Sequence, residues 1–485
     1  MPVDLSLKYE TVIGLEVHAQ LKTKTKLFAG DSADFGASPN THVSAITLGH
    51  PGTLPKMNKK AIDYAIKMGL VCNCTIAKHN YFARKNYFYP DLPKGYQISQ
   101  HTTPICSGGS VHISTAEGER DIRLTRIHLE EDAGKSIHDQ SELVTYLDYN
   151  RAGVPLIEIV TEPDLHSAEE AAAYLTQIRR LVRWIGICDG NMEEGSLRCD
   201  ANISVRLRGE QKLGTRVEVK NLNSIKHLRH AIEIEVERLI NIVDQGGTVL
   251  QQTRSYDADN GTTFSIRTKE DADDYRYFPE PDLAPFDFTN EFIEQIRGSL
   301  PTMPQQRMKV YMEQFGLSSY DAQQLTEDKI LSDLFDDIAS TTIHKKQLAN
   351  FLLGPVRANL NQSGNGWETI TISNERWDQL LSLVVDGKIS FSIAAQRILP
   401  VLLENKTADP LGIAQELNVI QDADEDEVSL WVKHVIESMP EKVAEYRKGK
   451  KGLIGLFVGE VKKVSKGKAD PKMTTDLLNQ LLNQK

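Results

Sequence analysis

Over roughly the first 290 residues, apolar and polar side chains alternate in short runs separated by stretches of helical period. The alternation is clearest from Leu197 to Leu207. There Leu197, Cys199, Ala201, Ile203, Val205 and Leu207 fall on one face of a strand, and Arg198, Asp200, Asn202, Ser204 and Arg206 on the other. A turn segment from Gly209 to Gly214 then leads into residues 215–220, which predicts a hairpin. Ile13, Leu15, Val17, Ala19 and Leu21 oppose Glu16, His18 and Gln20 in the same way, and residues 155–162 set Glu158 against Ile157 and Ile159. Two helices are predicted between these strands. One starts at Ser167, with Glu170 completing a capping box, and runs to Trp184; the other follows Ser224 and stops at Gly246-Gly247. The fold class expected is α+β, a largely antiparallel sheet with helices covering its apolar face.

From residues 298–304 onward the period becomes helical, and Pro301 and Pro304 with the adjacent Gly298 and Ser299 mark a domain boundary. A second junction is expected between Glu404 and the acidic run at residues 422–427, and Asp470-Pro471 reads as the N-cap and first residue of a last helix. The expected division is therefore 1–297, 298–408 and 409–485, each part large enough for its own core.

Composition narrows the classes. No apolar run approaches the ~20 residues of a membrane span, and residues 1–8 lack the basic and apolar pattern of a secretory signal, so a soluble cytoplasmic protein is expected. Cys72, Cys74, Cys106, Cys188 and Cys199 are too few and odd in number for a disulfide framework and read as reduced, buried groups. The net charge of −11 is uneven: residues 442–485 hold eleven basic against four acidic side chains, a net of +7, leaving −18 on the rest. Such a tail is either a phosphate-binding face or a solvated helix surface, and charge alone favours the second.

Taken singly, Glu16, His18 and Gln20 would be a wetted strand face. The number of similar runs changes the picture: residues 130–132, Glu158, then Arg198, Asp200 and Asn202, then Arg216, Glu218 and Lys220. Like charges crowded on adjacent strands repel, and a divalent cation with a phosphate neutralises both signs. Carboxylates with an imidazole suit Mg²⁺ bridging a nucleotide. Gly108-Gly109 and Gly246-Gly247 lack the lysine and hydroxyl of a Walker A loop, so ATP would lie on a sheet face, as in ligases of the glutamine synthetase type. Residues 84–97 interleave Tyr87, Tyr89 and Tyr96 with basic groups and two prolines in an expected loop, which either stacks on bases or packs on its own domain. Residues 274–283 are similar, with Arg276 and Glu280 as candidate contacts.

Residues 14–21, 84–100, 128–135, 148–153, 195–202 and 274–283 together make the chain resemble, from end to end, the B subunits of glutamyl-tRNA(Gln)/aspartyl-tRNA(Asn) amidotransferases. The resemblance implies a glutamine-synthetase-like catalytic cradle, a helical domain and a small YqeY-like helical tail that approaches the tRNA. It implies that ATP phosphorylates the side-chain carboxylate of a misacylated Glu-tRNA(Gln) or Asp-tRNA(Asn), and that ammonia then displaces the phosphate. It implies ATP and Mg²⁺ as cofactors, and an amidase (the A subunit), a small C subunit and misacylated tRNA as partners. The ammonia comes from glutamine through the partner, and this chain shows no amidase or glutaminase constellation of its own. Carried onto matching positions, Glu16, His18, Glu131 and Glu158 are the catalytic metal ligands, with Glu130 beside them. By the same resemblance Arg198, Asp200, Asn202 and Lys220 are candidates for nucleotide or phosphate contacts.

One departure matters. Many relatives carry two zinc-binding cysteine pairs where this chain has Ala29, Asp31, Ser44 and Thr47, so no zinc is expected, although His42 and His50 lie close by. Two rival readings remain: a free-standing glutamine-synthetase-type ligase for a small amino acid, and a non-catalytic tRNA-binding scaffold. The first leaves the basic tail idle, and the second leaves the clustered carboxylates without a purpose.

Overall fold

The structure is a computed structural model that describes residues 8–138, 140–141, 143–268, 275–420, 425–465 and 467–483. Of the positions used above, Met1 to Leu7, Asp274, Asp422, Ala423, Asp424, Lys466 and Lys485 lie outside these residues. Two compact units divide between Pro301 and Thr302.

In the first unit, β1 (Tyr9–Gln20) runs near the middle of a long sheet. Next along the chain come α1 (Lys59–Val71), β2 (Gly118–Glu131), β3 (Pro155–Thr161) and α2 (Ala168–Trp184). After them come β4 (Leu197–Leu207), β5 (Val217–Leu222), α3 (Ile225–Asp244), β6 (Gln252–Asp257) and β7 (Thr262–Thr268). β1 pairs antiparallel with β3 on one side and β4 on the other; β2 lies beyond β3, and β5, β6 and β7 lie beyond β4. The pair β5 and β6 is parallel, because α3 carries the chain back across the sheet between them.

The period-two pattern explains which face is buried. Ile13, Val17 and Ala19 are 0% exposed, as are Leu197, Ala201 and Ile203 of β4. Helices α2 and α3 cover this face, packing on β1 and β4 and on each other through Tyr174, Leu175, Ile178 and Leu228. Ser167 starts α2 as expected, its hydroxyl accepting from the Glu170 N–H at 3.1 Å. The capping box is only half formed, since the Glu170 carboxylate accepts from the N–H of His166 at 2.7 Å and from Arg120. Ser224 caps α3 through the His227 N–H at 3.0 Å.

Residues 84–97 are less of a loop than their composition predicts. Ala83–Asn86 and Tyr96–Ser99 pair antiparallel, so only the middle is a connection. Glu280 is likewise structural: Arg84 donates to both its oxygens, at 2.7 and 2.9 Å, which leaves it no free edge for a ligand.

Among its described residues the second unit holds helices and no strand. Its apolar side chains form two clusters, one containing Phe351 and Trp377, the other containing Phe457 and Leu478. Asp470 caps the last helix, Pro471–Asn483, by accepting from the Met473 N–H at 2.7 Å. No described helix is long and apolar enough to cross a membrane. All five cysteines are free, and burial pushes Cys74 and Cys188 up to about 12, far from a reactive thiolate.

Candidate active site

With β1 flanked on both sides, its even-numbered side chains share one face with those of its neighbours. The register sets His18 beside Glu158 of β3 and Arg198 of β4, with His128 of β2 beyond Glu158. Two residues back along β1, Glu16 lies between Val160 and Asp200. The side chains close into two groups. His18, Glu130 and Glu158 each offer a donor atom within 4.8 Å of the others, and so do Glu16, Asp200 and Glu218. Both groups line a single cavity of about 290 Å³.

In the first group His18 Nε2 stands 3.7 Å from Glu130 Oε1 and 3.8 Å from Glu158 Oε2. His128, which sequence reasoning did not single out, supports it: its Nε2 lies 3.1 Å from Glu158 Oε2 and 3.4 Å from Glu130 Oε2. The signal for it was the parity of β2, on which His128 and Glu130 are successive residues of one face. Burial opposes charge on His128, but Glu158 and Glu130 outweigh it and push the imidazole up to about 9. Burial also works to raise Glu130 and Glu158, and the two histidines beside them hold both below the ordinary carboxylate range instead.

The second group has a different balance. Burial, then the charges of Glu158, Asp200 and Glu218, raise Glu16 above the usual range, although the Asn202 amide donates to it at 2.9 Å. Lys220 donates to Asp200 at 2.9 Å and lies 3.0 Å from Glu218, leaving Glu16 as the carboxylate short of positive charge. Oxygen donors crowded in this way, with one imidazole, are the donor set a hard divalent cation takes.

Glu131 does not join either group. It follows Glu130 on β2 and therefore points through to the opposite side of the sheet, where Lys94 donates to its carboxylate along with the Ile98 N–H at 2.9 Å. There it lines a separate cavity with Lys26 and Phe28. Glu130, not Glu131, is the carboxylate of this pair that stands with His18 and Glu158. Arg198 is engaged too, donating to Asp132 at 2.9 Å beside Gln20, which donates to the same oxygen at 2.8 Å. Lys85 is the cation that sequence reasoning left unassigned. Its ammonium faces the rings of Tyr275 at 4.9 Å and Tyr87 at 5.8 Å, lines the acid cavity, and has no hydrogen bond or ion pair among the described residues. Burial disfavours its charge, but Glu130 and Glu158 nearby raise its pKa above the ordinary lysine value.

The zinc-binding positions of the resemblance fit no zinc here. One Asp31 oxygen accepts from the N–H of Ser44 at 3.1 Å, from its hydroxyl at 2.8 Å and from the hydroxyl of Thr47, while Ala29 offers only a methyl group. Hard, uncharged hydroxyls and one carboxylate already spent on them are not a zinc donor set.

Residues 11–294 match the model of the GatB/GatE catalytic domain, and residues 333–482 match that of a further GatB domain. The B subunit of the aspartyl/glutamyl-tRNA(Asn/Gln) amidotransferase of Thermodesulfovibrio yellowstonii is 44% identical over 99% of this chain and 100% of its own. The proteins of the same name from Nitratidesulfovibrio vulgaris and Pelodictyon phaeoclathratiforme are each 47% identical, over 97% of this chain and 98% and 99% of their own. The chain therefore belongs to the family of aspartyl/glutamyl-tRNA(Asn/Gln) amidotransferase B subunits.

Proposed function

We propose that this chain is the amidating component of a tRNA-dependent amidotransferase, using ATP to activate the side-chain carboxylate of Glu-tRNA(Gln) or Asp-tRNA(Asn). The observation that carries the reading is the pair of three-donor acid groups on one sheet face, lining one cavity. His18, Glu130 and Glu158 would hold one divalent cation, and Glu16, Asp200 and Glu218 a second. Bound there, Mg²⁺ would supply charge neutralisation to the triphosphate. Asn202 orients Glu16, Lys220 tethers Asp200 and Glu218, and Arg198 holds Asp132 in an adjoining cavity.

A substrate carboxylate oxygen attacks the γ-phosphorus, and the bond from phosphorus to the bridging oxygen of ADP breaks. Ammonia then attacks the acyl carbon, the carbon–oxygen bond to phosphate breaks, and the nitrogen loses a proton as the amide forms. Lys85, uncommitted and facing the acid groups, is placed to hold the anionic acceptor carboxylate beside them. The proposed partners are an amidase (the A subunit) that releases ammonia from glutamine, a small C subunit, and the tRNA itself, met in part by the basic residues of 409–485. This function is tested by phosphate release from ATP in the reconstituted complex. Release that depends on Glu-tRNA(Gln) or Asp-tRNA(Asn) is expected. Release with free glutamate or aspartate alone would indicate a small-molecule ligase, and no release at all a scaffold.

A further inference from the structure

β5 does not stay in step with β4. Val217 pairs with Ile203, Glu218 with Asn202 and Val219 with Ala201, and at that pace Leu222 would meet Arg198 on the wet face. It meets Cys199 instead, so Lys220 and Asn221 together stand opposite Asp200 in a β-bulge. Asn221 has a φ of 62°, and among the described residues no other residue but glycine takes a left-handed φ inside a strand. Beyond the bulge Leu222 is back on the dry face, 2% exposed. The amide of Asn221 donates to Ser255 Oγ of β6 at 2.5 Å. Lys220 reaches Asp200 across the pair at 2.9 Å and Glu218 along its own strand at 3.0 Å. The bulge lies where two cavities meet: Lys220 lines the acid cavity and the adjoining one of about 340 Å³, and Asn221 lines the second.

We propose that Asn221 is a positioning residue for the second acid group: its left-handed backbone sets Lys220 between Asp200 and Glu218, which fixes how far these two carboxylates stand from Glu16. The inference rests on the reading of Glu16, Asp200 and Glu218 as a cation site. Three carboxylates on adjacent strands repel one another, and an ammonium held between two of them limits their spread. A bulge beside such a site re-aims a side chain that a regular ladder would hold straight across from its partner. Asparagine suits the position because it takes the left-handed conformation at less cost than other side chains with a Cβ. A residue held there persists only where its surroundings fix it, and Ser255, 2% exposed and level with Lys220 in the parallel register of β5 and β6, supplies the anchor. Slippage cannot relax the bulge. In the regular register Leu222 would be turned to the wet face and the Asn221 amide to the dry one, in line with Val217 and Val219, which are 0% exposed.

The test reads the geometry first, in the full chain without metal. A water-soluble carbodiimide joins a lysine to a carboxylate only where the two touch. The yield of the Lys220–Asp200 link is measured by mass spectrometry against that of Lys8 and Asp244, an exposed ion pair formed outside β5. Asn221→Gly and Asn221→Ala both remove the amide and differ in their tolerance of a positive φ. The glycine variant is expected to keep the link within about threefold of wild type, and the alanine variant to fall about tenfold below the glycine one. Ser255→Ala, which removes only the anchor, is expected to lower the yield about threefold and keeps the test valid if Asn221→Ala fails to fold. Mn²⁺ binding, read by electron paramagnetic resonance, should follow the same order, with one of two ions held about tenfold more weakly in Asn221→Ala. Equal link yields in the glycine and alanine variants overturn the inference, and so does an unchanged yield in Ser255→Ala. Wild-type protein that forms the link but binds a single Mn²⁺ leaves the positioning of Lys220 in place and overturns the second cation site, which separates the two failures.

Discussion

Asp31 holds Ser44 twice, by its backbone N–H at 3.1 Å and its hydroxyl at 2.8 Å, through the same carboxylate oxygen that Thr47 reaches. Three hydrogen bonds on one charged acceptor close this loop. Asp31→Ala is expected to lower the unfolding free energy by about 1–3 kcal/mol, since Ser44 and the buried Thr47 lose their acceptor. Urea unfolding of the wild type should be unaffected by chelator, and elemental analysis should find no stoichiometric zinc. One zinc per chain would mean that other donors, such as His42 and His50, have been overlooked.

Glu130 and Glu131 are adjacent in sequence yet serve different cavities. Mn²⁺ affinity, read by electron paramagnetic resonance, should fall roughly tenfold to a hundredfold in Glu130→Gln or Glu158→Gln and stay unchanged in Glu131→Gln. Transamidation should collapse in His18→Ala while tRNA-independent glutaminase turnover by the amidase partner persists. A folded His18→Ala protein with normal transamidation would remove His18 from the site.

Glu16 is raised by burial and by its acidic neighbours, whereas Glu130 and Glu158 are lowered. A cation binds the ionised form, so as pH falls Glu16 is the first of the three to take up a proton and weaken binding. Mn²⁺ affinity measured across pH should therefore decline already above the range in which an ordinary carboxylate titrates. Glu16→Gln should bind more weakly and lose this early phase. A wild-type affinity that stays level until the ordinary carboxylate range would contradict the assignment.

Lys85 lines the acid cavity and has no hydrogen bond or ion pair among the described residues. Lys85→Met should lower kcat for amidation by about a hundredfold or more, the scale seen when one electrostatic donor is removed from a reacting group, while the Kd for Mg·ATP changes little. Lys85→Arg should recover part of the rate. A large loss of ATP affinity in Lys85→Met would place the ammonium on the nucleotide instead.

The tail carries +7 over residues 442–485, on a chain that is otherwise acidic. Truncation at residue 421 should raise KM for misacylated tRNA and flatten the salt dependence of binding by roughly 0.7 to 0.9 for each phosphate no longer neutralised, with a smaller effect on kcat. Unchanged affinity and salt slope in filter binding would leave the tail as solvated helix surface.

The sequence showed those parts of the fold where one face is wet and the other dry. β1 and β4 alternate cleanly, and α2 and α3 begin at the serines that cap them. The pattern is lost at the inner end of β2, where every residue from Ile127 to Glu131 is buried, so that two adjacent glutamates look equivalent. Only the register of β2 against β3 shows that Glu130, and not Glu131, faces His18. The pairing of Arg198 with Asp132 and of Lys220 with Asp200 was equally hidden, because period names a face and not a partner.

β1 takes its neighbours from residues 155–161 and 197–207, with the whole of α1 and β2 intervening on one side. Such high contact order means slow assembly. A nascent chain emerging from the ribosome carries β1 without either neighbour until β3 is made, and with one edge still open until β4 follows, an interval in which it can aggregate. The residues of the first acid group, His18, Glu130 and Glu158, are all synthesised before Asp200 and Glu218 of the second, so the first can be complete in the growing chain while the second is not.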